Sequence, residues 1–539
     1  MSADVIVVGG GPVGLLTAAL LDAAGAGVEV YERSREFDRH TKGITVHPRT
    51  LEVLTTLEGG DGRRLGDVLV ARGMRVRSAH YAALPARLDY SGLDTPFPFV
   101  LMVPQWQTRE MLAEYLRERG VRVHYGVEVT DVAQSGEEVR IRAGDAPRTA
   151  RYLVGADGAR SIVRAAAGID FPGSTPTMTG FVADVEATDP LDGVEYFWND
   201  AGYVGYMRLG ETSVRLFGAE SADTGLTSQE VRRRQAEPFT LADLRTALTR
   251  ICGRDFGVHS PSWLSRTGNS GRYAERYRAG RILLAGDAAH IHMPAAGQGL
   301  NVGLQDAANL AWKLAAEVHG WAPEALVTGE FGYDSERRPV ADRLIADTLA
   351  QDALFHTFGR AAAALRATFS RFIERGGEVA AELTGWVSGL GVGYPCPAGA
   401  HPLVGTRAPD LALTSGSLMR ALRADRFLLV DLTGDRAAGS ALAHLGGART
   451  QVVTARPVDA QDAVRGAAWH GVRAALIRPD GHVAHVSASA GRLSATGAEA
   501  EAETEAEAEA VDGAEARALA GAVAAWTGPD RRTAPSGDL

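Results

Sequence analysis

An apolar run, Val5–Val8, ends in Gly9-Gly10-Gly11-Pro12-Val13-Gly14. A helical pattern follows at once, and an acidic residue, Glu32, closes the next apolar run, VEVYE. Few local patterns restrict a chain more. Gly9 permits the tight turn out of a strand, Gly11 lets a ligand approach the backbone, and Gly14 lets helix and strand lie close. The helix that Pro12 opens offers unpaired N–H groups from Val13 onward and a partial positive charge, which suit a pyrophosphate. Glu32, with Arg33 beside it, stands where a carboxylate can accept hydrogen bonds from ribose hydroxyls. Asp4–Glu32 is thus read as a dinucleotide-binding strand–turn–helix, and by itself it fits NAD as well as FAD.

At 539 residues, 45% hydrophobic and 23% charged, the chain has the composition of a soluble globular protein. Two or three domains are expected. The formal net charge is −10, but Glu499, Glu501, Glu503, Glu505, Glu507 and Glu509 form one Ala/Glu run, so the remainder is only mildly acidic. No basic stripe points to nucleic acid. Cys252 and Cys396 lie in no CxxC or metal-ligand spacing, which excludes a disulfide framework and suits a reducing compartment. MSADVIVVGGG has no positively charged start, and no apolar run approaches the roughly 20 residues of a membrane span. A cytoplasmic protein without a membrane or metal partner is expected. The oligomeric state stays open, a homodimer being one compatible assembly.

Strand and helix alternate at the start: VIVVGG, a helix from Pro12 to about Ala24, VEVYE, then helices around Pro48–Leu57 and Thr108–Arg119. VRVHYG, VEVTDVAQ and VRIRAG read as an antiparallel meander, closed by the strand and turn of YLVGADGARS. From about Phe171 to Arg272 the texture becomes sheet-like, with FVADVEA, YVGYMRL and TSVRLFGA alternating polar and apolar and one helix near Leu241–Ile251. The α/β texture returns at RILLAGDAAH, continues through Gly303–His319 and further helices, and ends at the Gly/Pro-rich GVGYPCPAGAHP. A last unit, about Gly405–Thr527, contains FLLVDL, TQVVTA and AALIRPDGHVAHV. The Ala/Glu alternation at 498–510 reads as a solvated, low-complexity segment. The predicted architecture is α/β: a discontinuous, Rossmann-like dinucleotide-binding domain (1–170 and 273–395), an inserted sheet-centred domain (171–272, with part of 75–100), and a C-terminal domain (400–539).

Two further segments carry chemistry. Asp157-Gly158-Ala159-Arg160-Ser161 reads either as a capped turn or as part of a site. Gly286-Asp287-Ala288-Ala289-His290, then Pro294 and Gly297-Gln298-Gly299-Leu300-Asn301, is more telling. A strand delivers Asp287 to the carboxyl edge of the sheet, where α/β ligands bind. The turn after it opens another helix, whose N–H groups can face an electron-rich ring.

These three motifs, in this order, resemble the p-hydroxybenzoate-hydroxylase-like (group A) flavoprotein monooxygenases, and most closely the aromatic polyketide hydroxylases of antibiotic pathways. The similarity covers most of the chain, through YRAGRILLAGDAAHIHMPAAGQGLNVGLQDAANLAWKL and Tyr333–Pro339. It implies FAD as the cofactor, with Asp287 on the ribityl chain, Glu32 on the adenosine ribose and Gln105 as a further ribityl or phosphate contact. It also implies that Asp157 serves the pyrophosphate region and NAD(P)H use, and that Pro294, Gly297, Gly299, Leu300 and Asn301 line the flavin. Lys42 stands where the family often has Arg, keeping charge but losing bidentate geometry. NADPH or NADH is implied as a transient reductant and O2 as co-substrate. A flavin C4a-hydroperoxide would hydroxylate an aromatic, polycyclic polyketide substrate, so no obligatory acid/base pair is expected and no catalytic side chain is assigned. Baeyer–Villiger oxygenation or epoxidation, and a flavin-binding protein without oxygenase activity, are the alternatives. The last domain resembles the thioredoxin-like appendage of this group, without CxxC and therefore without dithiol chemistry.

Other residues are weighed against plainer roles. His290 and His292 lack a third metal ligand and are expected to pack. His47 fits either a place near the flavin or the surface. Tyr196, Phe197, Trp198, Tyr203 and Tyr206 could wall a pocket, with Phe197, Tyr203 and Tyr206 taken as the substrate candidates against ordinary sheet packing.

Overall fold

The computed structural model describes residues 3–36, 39, 43–433, 445, 447–458, 467–488 and 517–528. Its largest sheet runs Arg278–Ala279, Ile282–Leu284, Ala146–Gly155, Ala3–Val8, Val28–Glu32, Arg122–Tyr125. Ala3–Val8 pairs parallel with both neighbours, and its side chains at Val5 and Val7 are fully buried. A continuous apolar strand is what a parallel sheet covered on both faces requires. The helices Pro12–Ala23 and Gln298–Val318 bury their apolar sides in the same core as this strand. They approach closely because a Cβ on Gly303 would stand 2.9 Å from Val13 Cγ2, so only glycine leaves room.

The meander differs from the sequence reading. Val129–Gln134, Val139–Ala143 and Ala146–Gly155 form it, whereas Arg122–Tyr125 pairs parallel with Val28–Glu32 at the sheet edge. The helix Gln105–Glu118 provides the crossover that a parallel pairing needs.

The second sheet is antiparallel, in the order Val194–Asn199, Gly202–Arg208, Ser213–Glu220, Gly180–Ala187, Val258–Thr267. The helix Leu241–Cys252 buries Leu244, Ala247, Leu248 and Ile251 against one face. Thr240 starts it with a capping box to Asp243, and Gly253 ends it in the left-handed region at φ 77°. The other face turns towards the strands Ser78–His80 and Val100–Met102 and towards the helix Tyr333–His356.

The C-terminal sheet orders Thr450–Thr454, Phe427–Asp431, Val472–Ile477, Val483–Ala488, with the first pair parallel and the others antiparallel. It packs on Trp312 of the helix Gln298–Val318 through Phe427, Leu429 and Leu476. Cys396 is exposed and Cys252 half-buried. The Ala/Glu run at 498–510 lies outside the described residues, as does Lys42. Among the described residues no helix is long and apolar enough to cross a membrane, and no group of acidic, His or Cys side chains could hold a metal.

Candidate active site

One cavity of about 440 Å³ runs through the molecule. It begins at Gly11, Pro12 and Val13, passes Ala156, Gly158 and Asp287, follows the turn Pro294–Leu300, and ends against the second sheet. Its size falls in the range of small-molecule sites.

The three glycines of the first turn have separable tasks. Gly9 sits at φ +110°, and a Cβ there would stand 2.2 Å from the Ala156 carbonyl oxygen. A Cβ on Gly14 would stand 2.0 Å from the Gly9 carbonyl oxygen. Both are demanded by packing. A Cβ on Gly11 would meet nothing within 4 Å, and the residue faces the cavity. The chain itself does not require glycine there, whereas close approach of a pyrophosphate does. The residues present therefore fit the dinucleotide end of an FAD.

Glu32 accepts from the Gly10 amide at 2.6 Å and from the Ser34 amide at 2.8 Å, which ties the end of its strand to the turn. Arg33 beside it is exposed. Gln105 lines the cavity and its amide donates to the Gly43 carbonyl at 3.0 Å. Asp157 behaves as a cap. It accepts from Ser161 Oγ at 2.5 Å and from the amides of Ile162 and Val163 at 2.8 and 3.3 Å, while its neighbours Ala156 and Gly158 line the cavity. Burial raises its pKa, with those hydrogen bonds opposing. Asp287 is exposed on the cavity wall, in the short turn Gly286–Ala288 after the strand Ile282–Leu284.

Asn301, expected to line the flavin, is a buried bracket beside the cavity and not in its wall. Its Oδ1 accepts from the His47 amide at 2.8 Å, and its Nδ2 donates to the carbonyls of Thr45 and Gly297 at 3.0 and 2.8 Å. His47 is 1% exposed, with Nε2 bonded to the Ala296 carbonyl at 2.7 Å. Two chain segments are thereby sewn together at the turn that carries Pro294, Gly297, Gly299 and Leu300, all of which line the cavity. Gly297 lies at φ +72°, where a Cβ would also strike Thr45 Cβ at 2.6 Å. Under this turn Asp306 accepts from His290 Nε2 and Arg337 Nε, each at 2.7 Å. His290 is thus a buried structural partner, whereas His292 is half-buried on the cavity wall.

Burial pushes His47 and His292 down to about 4. A histidine whose folded pKa lies below its unfolded value binds fewer protons when folded, so stability falls as pH drops from about 6.5 towards 4. A Tm that declines steeply across that window is the expected result, measured by thermal unfolding at graded pH.

Strand parity decides the aromatic wall. Tyr196 pairs with Gly205, and Trp198 with Tyr203, on the face towards the cavity. Tyr196 and Tyr203 line it, joined by Phe217 and Phe355. Phe197 and Tyr206 point to the opposite face, into the cluster with Phe256 and the helix Leu241–Cys252. Of the three substrate candidates only Tyr203 reaches the cavity. Tyr196, Phe217, Phe355, His80 and Arg87 were not among them. The two-residue period could have separated Tyr196 from Phe197, once one strand's orientation was known.

Gly205 keeps this chamber open, since a Cβ there would stand 2.5 Å from Phe217 Cζ and 2.8 Å from Tyr196 Cε1. Gly205→Val is expected to drive both rings into the cavity at a cost of about 1–3 kcal/mol. Titration with a polycyclic phenol should show roughly tenfold weaker binding while FAD content stays normal.

Comparison with known proteins agrees with this geometry. Residues 2–348 match the FAD binding domain family, and residues 401–508 match the family described as aromatic-ring hydroxylase, C-terminal. An uncharacterized aromatic compound monooxygenase of Bacillus subtilis is 40% identical over 497 residues, covering 90% of this chain and 94% of the relative. The 12-dehydrotetracycline 5-monooxygenase/anhydrotetracycline 6-monooxygenase of Streptomyces rimosus is 38% identical, covering 90% and 96%. The solved structure of the anhydrotetracycline hydroxylase from Streptomyces rimosus superimposes with a TM-score of 0.81 at 35% identity, covering 98% of this chain and 100% of that one. The chain belongs to the FAD-dependent aromatic monooxygenases, in which an FAD-binding domain is joined to the C-terminal domain of aromatic-ring hydroxylases.

Proposed function

We propose that this protein hydroxylates a fused-ring aromatic polyketide in antibiotic biosynthesis, using FAD, NAD(P)H and O2. The observation that carries the reading is the continuity of one cavity from the Gly11 turn, past Asp287 and Pro294–Leu300, to the rings of Tyr196, Tyr203 and Phe217. The name of the relative that oxygenates anhydrotetracycline favours fused rings as the substrate. Bound FAD, reduced by NAD(P)H, supplies the activation of O2.

The chain's own residues bind, orient and exclude water. Gly11, Pro12 and Val13 would hold the pyrophosphate, Asp287 and Gln105 the ribityl chain, and Glu32 the adenosine ribose after releasing its turn contacts. Pro294 and Gly297–Leu300 would support the isoalloxazine edge. Tyr196, Tyr203, Phe217 and Phe355 offer apolar faces against which a planar ring can stack.

The test is NADPH or NADH oxidation by FAD-loaded protein under 18O2, with a panel of polycyclic phenols. Oxidation accelerated by a phenol, with one labelled oxygen added to its ring, is expected. A ring-opened or lactone product would replace hydroxylation by Baeyer–Villiger chemistry. Oxidation indifferent to every phenol, with no labelled product, would leave a flavin-binding protein without oxygenase activity.

A further inference from the structure

After the short strand Ser78–His80 the chain turns through Tyr81-Ala82-Ala83-Leu84. Ala82 and Ala83 both carry positive φ, 48° and 47°. Residues with a Cβ rarely adopt that conformation, and they hold it only where the surroundings impose it. Here the surroundings are specific. Arg366, 5% exposed, donates to the carbonyls of Ala82 and Ala83 at 3.1 and 2.7 Å and to the Leu354 carbonyl at 2.6 Å. Gln351 Oε1 accepts from the Ala82 amide at 3.3 Å, and the Tyr81 hydroxyl donates to Asp347 at 2.8 Å. Burial pushes Arg366 down to about 10. A buried guanidinium that ties both carbonyls of a strained turn to the Leu354 carbonyl is an expensive device.

What the turn presents is the Ala83 amide, which donates to His80 Nδ1 at 3.2 Å. Nδ1 is therefore the acceptor nitrogen, and in the neutral ring the proton sits on Nε2. Burial first, and then the charge of Arg87, lowers the His80 pKa to about 3, so the ring is neutral at working pH. His80 is half-buried, lines the cavity and packs 4.8 Å from the Tyr196 ring. Nε2–H has no acceptor among the described residues. Arg87, also on the cavity wall, adds positive charge beside the Tyr196 ring.

We infer that His80 Nε2–H donates to a carbonyl oxygen on the fused aromatic substrate, and that the clamped Ala82–Ala83 turn fixes His80 in this donor form. The inference rests on the aromatic substrate proposed above. It makes His80 a specificity-determining residue: rings that carry a carbonyl oxygen at this position are preferred over the same rings without one.

Two probes of equal ring size test it, 1-hydroxyanthraquinone and 1-hydroxyanthracene, titrated into FAD-loaded protein with flavin fluorescence as the readout. The native protein is expected to bind the quinone about tenfold more tightly. His80→Leu should bring the two affinities to within about twofold by weakening the quinone alone, and His80→Gln, which keeps a donor, should restore part of the preference. A His80→Leu protein that keeps the quinone preference, or that loses both probes equally, overturns the inference while leaving the fused-ring reading intact. Native protein that binds neither probe overturns both.

Discussion

Gly11→Asp protein is expected to purify folded and colourless. The position faces the cavity, and an added side chain would touch no protein atom at its Cβ, so the fold has no reason to suffer. The carboxylate would instead stand where the pyrophosphate is expected. Two like charges about 4 Å apart repel by about 4 kcal/mol at the effective dielectric of a protein surface, roughly a thousandfold in affinity. Far-ultraviolet circular dichroism should match the native protein while the flavin absorbance disappears. Gly14→Ala makes the contrast, because its Cβ would meet the Gly9 carbonyl oxygen at 2.0 Å and the helix would have to move. That variant should lose stability along with flavin. A yellow Gly11→Asp protein with an unchanged flavin spectrum would place the pyrophosphate elsewhere.

The second large effect is expected where the C-terminal sheet meets the FAD-binding domain. Arg478 donates to both oxygens of Glu336, at 2.7 and 2.8 Å, and to both of Asp480, at 3.1 and 2.5 Å. Lys313 adds a 2.6 Å contact to Glu336, and Trp312 donates to Asp480 at 3.2 Å. All four charged side chains are at most 2% exposed. Burial would raise the Glu336 pKa, yet Arg478 and Lys313 hold it down to about 2. Arg478→Met leaves two buried carboxylates facing one ammonium, an imbalance that costs about 3–5 kcal/mol. The urea midpoint should fall accordingly, and Glu336→Gln in the same chain should recover part of the loss by removing one stranded charge. A midpoint unchanged in Arg478→Met would mean that the C-terminal sheet is only loosely attached.

The network explains what the sequence could and could not disclose. The first motif was legible because its strand, glycines and helix lie within a few residues, and each glycine answers a local steric demand. Asp287 and the turn from Pro294 to Leu300 were legible for the same reason. Asp157 was ambiguous, since an Asp before a short helix caps it whether or not a ligand is near, and capping is what its carboxylate does here. Phe197 and Tyr196 are neighbours in sequence, so composition could not tell which one faces the cavity. The strand Val258–Thr267 went unread because Pro261 and three serines blur its pattern, a composition that an edge position tolerates. Arg478 and Glu336 are 142 residues apart, and no local pattern announces such a pair. His80 is not legible from the sequence, because its surroundings depend on the strained turn after it and on Arg366, 286 positions further along the chain.

Cofactor and aromatic substrate are expected to share one cavity that runs from the Gly11 turn to the antiparallel sheet. The most direct test is a crystal structure of the chain with FAD bound. The pyrophosphate is expected against Gly11 and Pro12, the ribityl chain at Asp287, and the isoalloxazine along Pro294–Leu300, with the space beside Tyr196, Tyr203 and Phe217 left open for a second ring system. A flavin that fills this aromatic chamber, or that lies outside the cavity, would contradict it.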